Sequence, residues 1–219
     1  MRKNITKEQI LEKTLELMKD KNDIQSINLR EIARCVGCAH TNLYNYFTSL
    51  DDLLWEAHSL IQKKFIEILL KTLSTHETSS SSTTASSTYY KEIYTTKLEC
   101  FFNTFLEFYL YNTGWFCLSW IHHIKGNRPE INKSTHKETM DILIDTLINI
   151  WNKIYNTTPS KEDAYAILHN THCYIIGEVS NYINNRAIIE DINMLKKYIL
   201  KESITIFTLG LQERIKNRI

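Results

Sequence analysis

Between residues 28 and 47 the chain reads NLREIARCVGCAHTNLYNYF, and the side chains with something to offer a partner recur there at helical spacing. His40, Thr41, Asn42, Asn45 and Tyr46 are short or planar polar groups able to meet base edges or phosphates. Leu43 and Phe47, four apart, share the opposite, apolar face. Ala33 is small enough to let two helices cross closely, and Gly37 can take a positive φ without the penalty a Cβ imposes. The pattern is a helix, a sharp turn and a second helix.

Three other groups could do chemistry. Cys35-x-x-Cys38 with His40 invites a zinc or redox reading, but no second Cys pair supplies four ligands, and packing of a tight turn is the simpler account. His169, His172 and Cys173 are spaced to reach one helical face, with His122 or His123 as a fourth ligand, although a core histidine held by hydrogen bonds is the commoner use. No metal or cofactor is expected. The third group is aromatic, from Phe101 through Phe108, Tyr109, Trp115 and Trp120. It suits an apolar pocket with a few polar handles, because each Tyr and Trp needs a partner for its O–H or N–H.

The elements that must position these groups are helices. Thr6 caps a first helix with Ile10, Leu11, Leu15, Leu17 and Met18 on one stripe. Asn28 and Glu31 form a capping box for the second, which ends near Gly37. A third short helix spans 41–47. Thr48 with Asp51, or Ser49 with Asp52, caps a long fourth helix over 51–73. Residues 74–88 are almost wholly Ser and Thr and read as a loop, since they cannot bury enough surface to offset their ordering entropy. Helices follow over 89–111, 115–124, from Pro129 to about 155, 160–184 and 191–217. The last carries Ile192, Leu195, Ile199 and Ile206 on one face and Ile204, Phe207 and Leu211 on another, so it is buried on more than one side.

Composition agrees. Five Gly and two Pro in 219 residues, against roughly 26 at average usage of about 7% and 5%, could hardly supply the turns of an all-β fold. The fold class is all-α. Net charge is +1, which advertises no global field for nucleic acid, so any such surface is local. Through residue 50 there are eight basic and six acidic residues, with Arg2, Lys3 and Lys7 as a candidate arm. Five cysteines and no secretory segment at the start favour reduced thiols in the cytoplasm. Residues 108–124 lack charge but fall short of the roughly 20 apolar residues a bilayer needs, so no membrane partner is expected. No Gly-rich phosphate loop, nucleophile elbow or framed carboxylate pair is present, and no enzymatic chemistry is expected.

Ile32-Ala33, Gly37, Leu43-Tyr44, Tyr46-Phe47 and the acidic helix start Asp51-Asp52-Leu53 together resemble the TetR family of transcriptional regulators, over roughly residues 6–70. The resemblance implies a DNA-binding head (residues 1–50) and a helical effector-binding and dimerisation body (51–219). It places His40, Thr41 and Asn42 against bases, Tyr44, Asn45 and Tyr46 toward the backbone, and Arg30 at a base or phosphate. It also implies a homodimer through the last two helices, a double-stranded operator, and a hydrophobic or aromatic effector among Tyr109, Trp115, Trp120, His123, His172 and Tyr174, whose binding releases a repressor. Two positions depart from the family: Ala39 stands where a Ser is common and Leu50 where a Lys is common. Losing that Lys removes one phosphate contact per subunit and predicts weaker binding with a shallower salt slope. The alternative is an adaptor of the same fold that binds a protein and has lost DNA binding.

Overall fold

The computed structural model describes residues 5–75 and 87–218, the side chains of 87–90 excepted. Among the described residues there are helices and no strands: α1 (Lys7–Met18), α2 (Leu29–Val36), α3 (His40–Leu43), α4 (Leu50–Thr75), α5 (Ser87–Leu110), α6 (Thr113–Phe116), α7 (Glu130–Tyr155), α8 (Lys161–Ile183) and α9 (Ile192–Lys216). Two compact units result. The first comprises Met1–Phe65 with Tyr109–Glu138, the second Ile66–Phe108 with Thr139–Ile219, so α4, α5 and α7 each contribute residues to both.

Local chemistry sets most of the helix starts. Thr6 closes a capping box with Gln9 at α1, Ser160 accepts from the Asp163 N–H at α8, and Asp191 accepts from the Met194 N–H at α9. At α4 the acidic cap divides its duties: Ser49 Oγ accepts from the Asp52 N–H at 3.0 Å, while the Asp52 carboxylate accepts from the N–H and hydroxyl of Thr48. At α2 only half of the expected box forms. Asn28 accepts from the Glu31 N–H, but the Glu31 carboxylate pairs with Lys21 instead of turning back, because a cation within reach outcompetes a backbone amide.

Other departures are informative. The third helix is shorter than expected: α3 proper ends at Leu43 and the chain runs on to Phe47 in tighter turns, with N–H bonds from Asn45 to Asn42 and from Tyr46 to Leu43. The segment expected as one helix over 115–124 is α6 followed by a π-helical turn at Cys117–Ile121, closed by the His122 N–H on the Cys117 carbonyl at 2.7 Å. Of the expected Ser/Thr loop, 74–75 and 87–88 are helical, and 76–86 lies outside the described residues. On α9 a single stripe of Leu195, Ile199, Ser203, Phe207 and Leu211 is buried. Ile192, Ile204 and Ile206 are half-buried, and the apolar side chains facing water are Met194, Tyr198 and Leu209.

In the first unit, α1 packs on α2 and on α6 through Ile10, Leu15 and Met18, all essentially inaccessible. Trp115 donates its indole N–H to the Leu15 carbonyl at 2.9 Å, and the Gly114 N–H donates to Lys19 O at 2.9 Å. The second unit has an aromatic centre: Phe102 contacts Phe207 at 5.4 Å between centroids, and Phe207 meets Trp151 edge-on at 6.2 Å. There α8 packs on α9 and is closed by buried Asp163, whose carboxylate accepts from Arg218 at 2.9 and 3.1 Å and from Arg214 at 3.4 Å. A bidentate fork on a buried carboxylate fixes the register of the two helices.

Gly114 is where backbone meets backbone. A Cβ there would lie 1.7 Å from Met18 O and 2.8 Å from Lys21 O. Gly114→Ala is expected to cost at least about 3 kcal/mol, since α1 and α6 must separate to admit the methyl group. Urea denaturation followed by circular dichroism checks this, and a loss under about 1 kcal/mol contradicts it.

Candidate nucleic-acid interface

Gly37 ends α2 at φ 81°, ψ 36°, with its N–H on the Ala33 and Arg34 carbonyls, and the Cys38 N–H returns to Ala33 O at 2.9 Å. That left-handed residue turns the chain sharply, and glycine takes it without steric penalty. The two sides of α3 are thereby separated. Leu43 and Phe47 are 1% and 2% exposed, against Ile32 and Ala33 at 0% and 2%, while Arg30, His40, Thr41, Asn42, Tyr44, Asn45 and Tyr46 are all exposed. Every residue expected to meet DNA therefore lies outside the packed face.

Several neighbours are already committed. The Tyr46 hydroxyl donates to the Ile5 carbonyl, tethering the residue before the α1 cap to the turn after α3. Lys7, expected in a basic arm, pairs with Glu56 at 2.6 Å and lies 5.3 Å over the Phe47 ring; it fastens α1 to α4 instead. Arg2 and Lys3, the rest of that arm, lie outside the described residues. Ala39 occupies the N-cap of α3 and makes no side-chain cap bond, as expected of an alanine where a serine could have accepted.

Behind the head, α4 is held to α7 by a buried polar group that the sequence did not reveal. Asn132, wholly buried, shares its two amide N–H donors among Trp55 O (2.9 Å), Ser59 Oγ (2.6 Å) and His58 Nδ1 (3.1 Å), and its Oδ1 accepts from Arg128 Nε at 2.6 Å. Gln62 and His136 meet at 3.1 Å one turn further along. Burial lowers the His58 pKa to about 4, and the nearby Arg128 charge adds to the shift. The neutral ring is the form whose Nδ1 can accept from Asn132. Periodicity marks apolar stripes, so a polar anchor within one leaves no signal.

The six residues expected around an effector are distributed over the two units. In the first, Tyr109 is buried against Phe116 and Trp120 at 5.9 and 6.0 Å, and burial pushes its hydroxyl up to about 12. Trp120 is exposed at one edge, Trp115 is tied to α1, and exposed His123 lines a groove of about 520 Å³ with Ile27, Leu50 and Asp51. In the second, His172 is buried and stacked 4.4 Å from Phe105, and Tyr174 is half-buried with its pKa raised by burial and by Glu178. A separate concavity of about 410 Å³ in that unit is lined by Leu70, Leu73, Tyr94, Lys97, Asn149 and Ile150 among others, and by none of the six. Lys97 is 4% exposed, with its ammonium 5.1 Å from the Tyr94 ring.

No single-chain metal cluster forms among the described residues. His169 and Cys173 are exposed while His172 points into the core, because a step of three on a helix is still about 60° off the shared face. Cys35 is exposed and Cys38 half-buried, its thiol pushed up by burial.

An all-α chain opening on a helix-turn-helix and continuing into a longer helical body has the fold of TetR-type transcriptional regulators. Among solved structures it is similar to the TetR family regulator PfmR from Thermus thermophilus (16% identity, TM-score 0.54, 90% of this chain and 96% of that one). It is also similar to FadR from Bacillus subtilis, solved with stearoyl-CoA (15%, 0.60, 91% and 98%), and to the fatty acid degradation regulator FadR from Bacillus halodurans (15%, 0.57, 90% and 93%). At these identities the likeness establishes the fold. No protein-family model matches the chain, and no curated protein matches it in sequence. No helix among the described residues is long and apolar enough to cross a membrane.

The His58 site carries a pH signature. Its pKa is about 4 folded and near 6.5 in the open chain, so between those values the unfolded chain binds a proton the folded one refuses. Stability is therefore full above about 6.5 and falls by about 3 kcal/mol on descending to about pH 4. Denaturation midpoints measured from about pH 7 to 4 should show this, and His58→Gln should remove most of the slope. An unchanged slope in the variant contradicts the assignment.

Proposed function

We propose that the chain is a homodimeric, ligand-responsive transcriptional regulator of the TetR type. Residues 1–50 are its DNA-binding head and 51–219 its effector-binding and dimerisation body. The observation that carries this reading is the partition of α3 and the turn after it: Leu43 and Phe47 are buried in the core, and His40, Thr41, Asn42, Tyr44 and Asn45 are left to water beside Arg30, with the Tyr46 ring exposed and its hydroxyl held by the Ile5 carbonyl. Two such edges, related by a two-fold axis and about 34–36 Å apart, would read successive major grooves of a pseudo-palindromic operator.

Dimerisation is supported by the apolar side chains that α8 and α9 leave outside: Tyr165, Met194, Tyr198 and Leu209 are 46–64% exposed. Surface of that kind marks an interaction site. The effector is a hydrophobic or aromatic small molecule held in the body. The stearoyl-CoA bound by the Bacillus subtilis neighbour supports an apolar effector class. Binding favours a body state in which α4 carries the heads off the groove spacing, so a cytoplasmic repressor is released.

The second reading, an adaptor that binds a protein and no DNA, is favoured by Leu50 and Ala39 and by the commitment of Lys7 to Glu56. Mobility shifts on the chain's own upstream region separate the two. A sequence-selective, salt-sensitive complex is expected. Arg30→Ala should weaken it by about 1–3 kcal/mol and relax specificity. Leu50→Lys should tighten it and steepen the salt slope by about one per subunit. Absence of any selective shift at low ionic strength, with Leu50→Lys silent, would falsify DNA binding in favour of the adaptor.

A further inference from the structure

Along α8, Tyr165, His169, Cys173 and Gly177 follow one another at four-residue intervals, and all four are exposed. The His169 ring lies parallel to Tyr165, 1° between planes at 6.5 Å, and Cys173 Sγ is 3.7 Å from His169 Nε2. In a tetrahedral zinc site, with Zn–S about 2.3 Å and Zn–N about 2.0–2.1 Å, a sulfur and a nitrogen ligand stand about 3.6 Å apart. The pair is thus already spaced as one edge of such a tetrahedron. It is only half a site, because no group of three or more His, Cys, Asp or Glu able to hold a metal exists among the described residues.

We infer that His169 and Cys173 are one half of a Cys2His2 zinc site, completed by the same two residues of a second copy. The inference rests on the homodimer reading above and gives it a chemical function. A two-fold interface sets a patch against itself, so an axis passing beside Cys173 brings two more ligands of the required types. The surroundings suit that axis. A Cβ on Gly177 would meet nothing within 4 Å, so the backbone of α8 is open to close approach there, and the adjoining α9 presents Met194, Tyr198 and Leu209 to the same solvent. Each thiol gives up its proton to solvent as the sulfur takes the metal, so four ligands carrying two negative charges balance one divalent ion. Metal that binds only the dimer pulls association forward by mass action.

The experiment titrates the full chain, purified with reductant and freed of metal, with cobalt(II) as a coloured substitute for zinc, while light scattering reports the oligomeric state. One cobalt per two chains is expected, with visible bands of tetrahedral cobalt and a thiolate-to-metal band in the near ultraviolet. Dimerisation should tighten at least about tenfold. Cys173→Ser and His169→Ala, both at exposed positions, should abolish those bands with helicity unchanged, whereas Cys35→Ser with Cys38→Ser should retain them. Dimers that take up no cobalt, or whose spectrum survives Cys173→Ser, overturn the metal site and leave the dimer standing. A chain that stays monomeric with and without cobalt overturns the dimer and the site together.

Discussion

The geometry of the head depends on one backbone conformation. Gly37 at φ 81° lets the carbonyl of Ala33 close two N–H bonds at the end of α2 while the chain reverses into α3. A side chain there would strain the left-handed conformation, and any relaxed alternative would rotate α3 about its axis. Neighbouring residues on a helix stand about 100° apart, so a rotation of that size would exchange Leu43 for Asn42 at the core. The exposed edge therefore exists because the turn is sharp and the two anchors are large.

The rest of the first unit is arranged to hold that edge on a firm base. Lys7 bridges α1 to α4, Lys21 bridges to α2, and Trp115 ties α6 to α1 through a bond to a main-chain carbonyl. The Asn132 cluster differs in kind. A buried amide whose donors and acceptor are all engaged permits one register between α4 and α7, where apolar packing alone would tolerate sliding. It is also the part of the unit that responds to acid, because His58 accepts a bond only while neutral.

In the second unit the aromatic residues are largely taken up by structure. Phe102, Phe207 and Trp151 form one continuous contact, and His172 completes a stack on Phe105. The space left open is bordered instead by Leu70, Leu73, Tyr94 and Lys97. Filling an interior with large flat rings leaves little void at their centre. Concavities arise where helix spacing changes and where shorter or polar side chains replace rings, and an aromatic count does not reveal those places.

What the amino-acid order determined alone was local: the capped helix starts at Thr6 and Ser49, the turn at Gly37, and which residues of the head face water. These follow from contacts within about four residues and from a period of about 3.6 residues, both carried by the one-dimensional pattern. The tertiary structure decided the rest. It sent Glu31 to Lys21 and Lys7 to Glu56, broke the helix after Phe116 into a π turn, buried Asn132 and His58, and turned His172 inward away from His169 and Cys173. Each of those outcomes is a competition among partners distant along the chain or on different faces of a helix, and only the packed chain sets the distances that decide it.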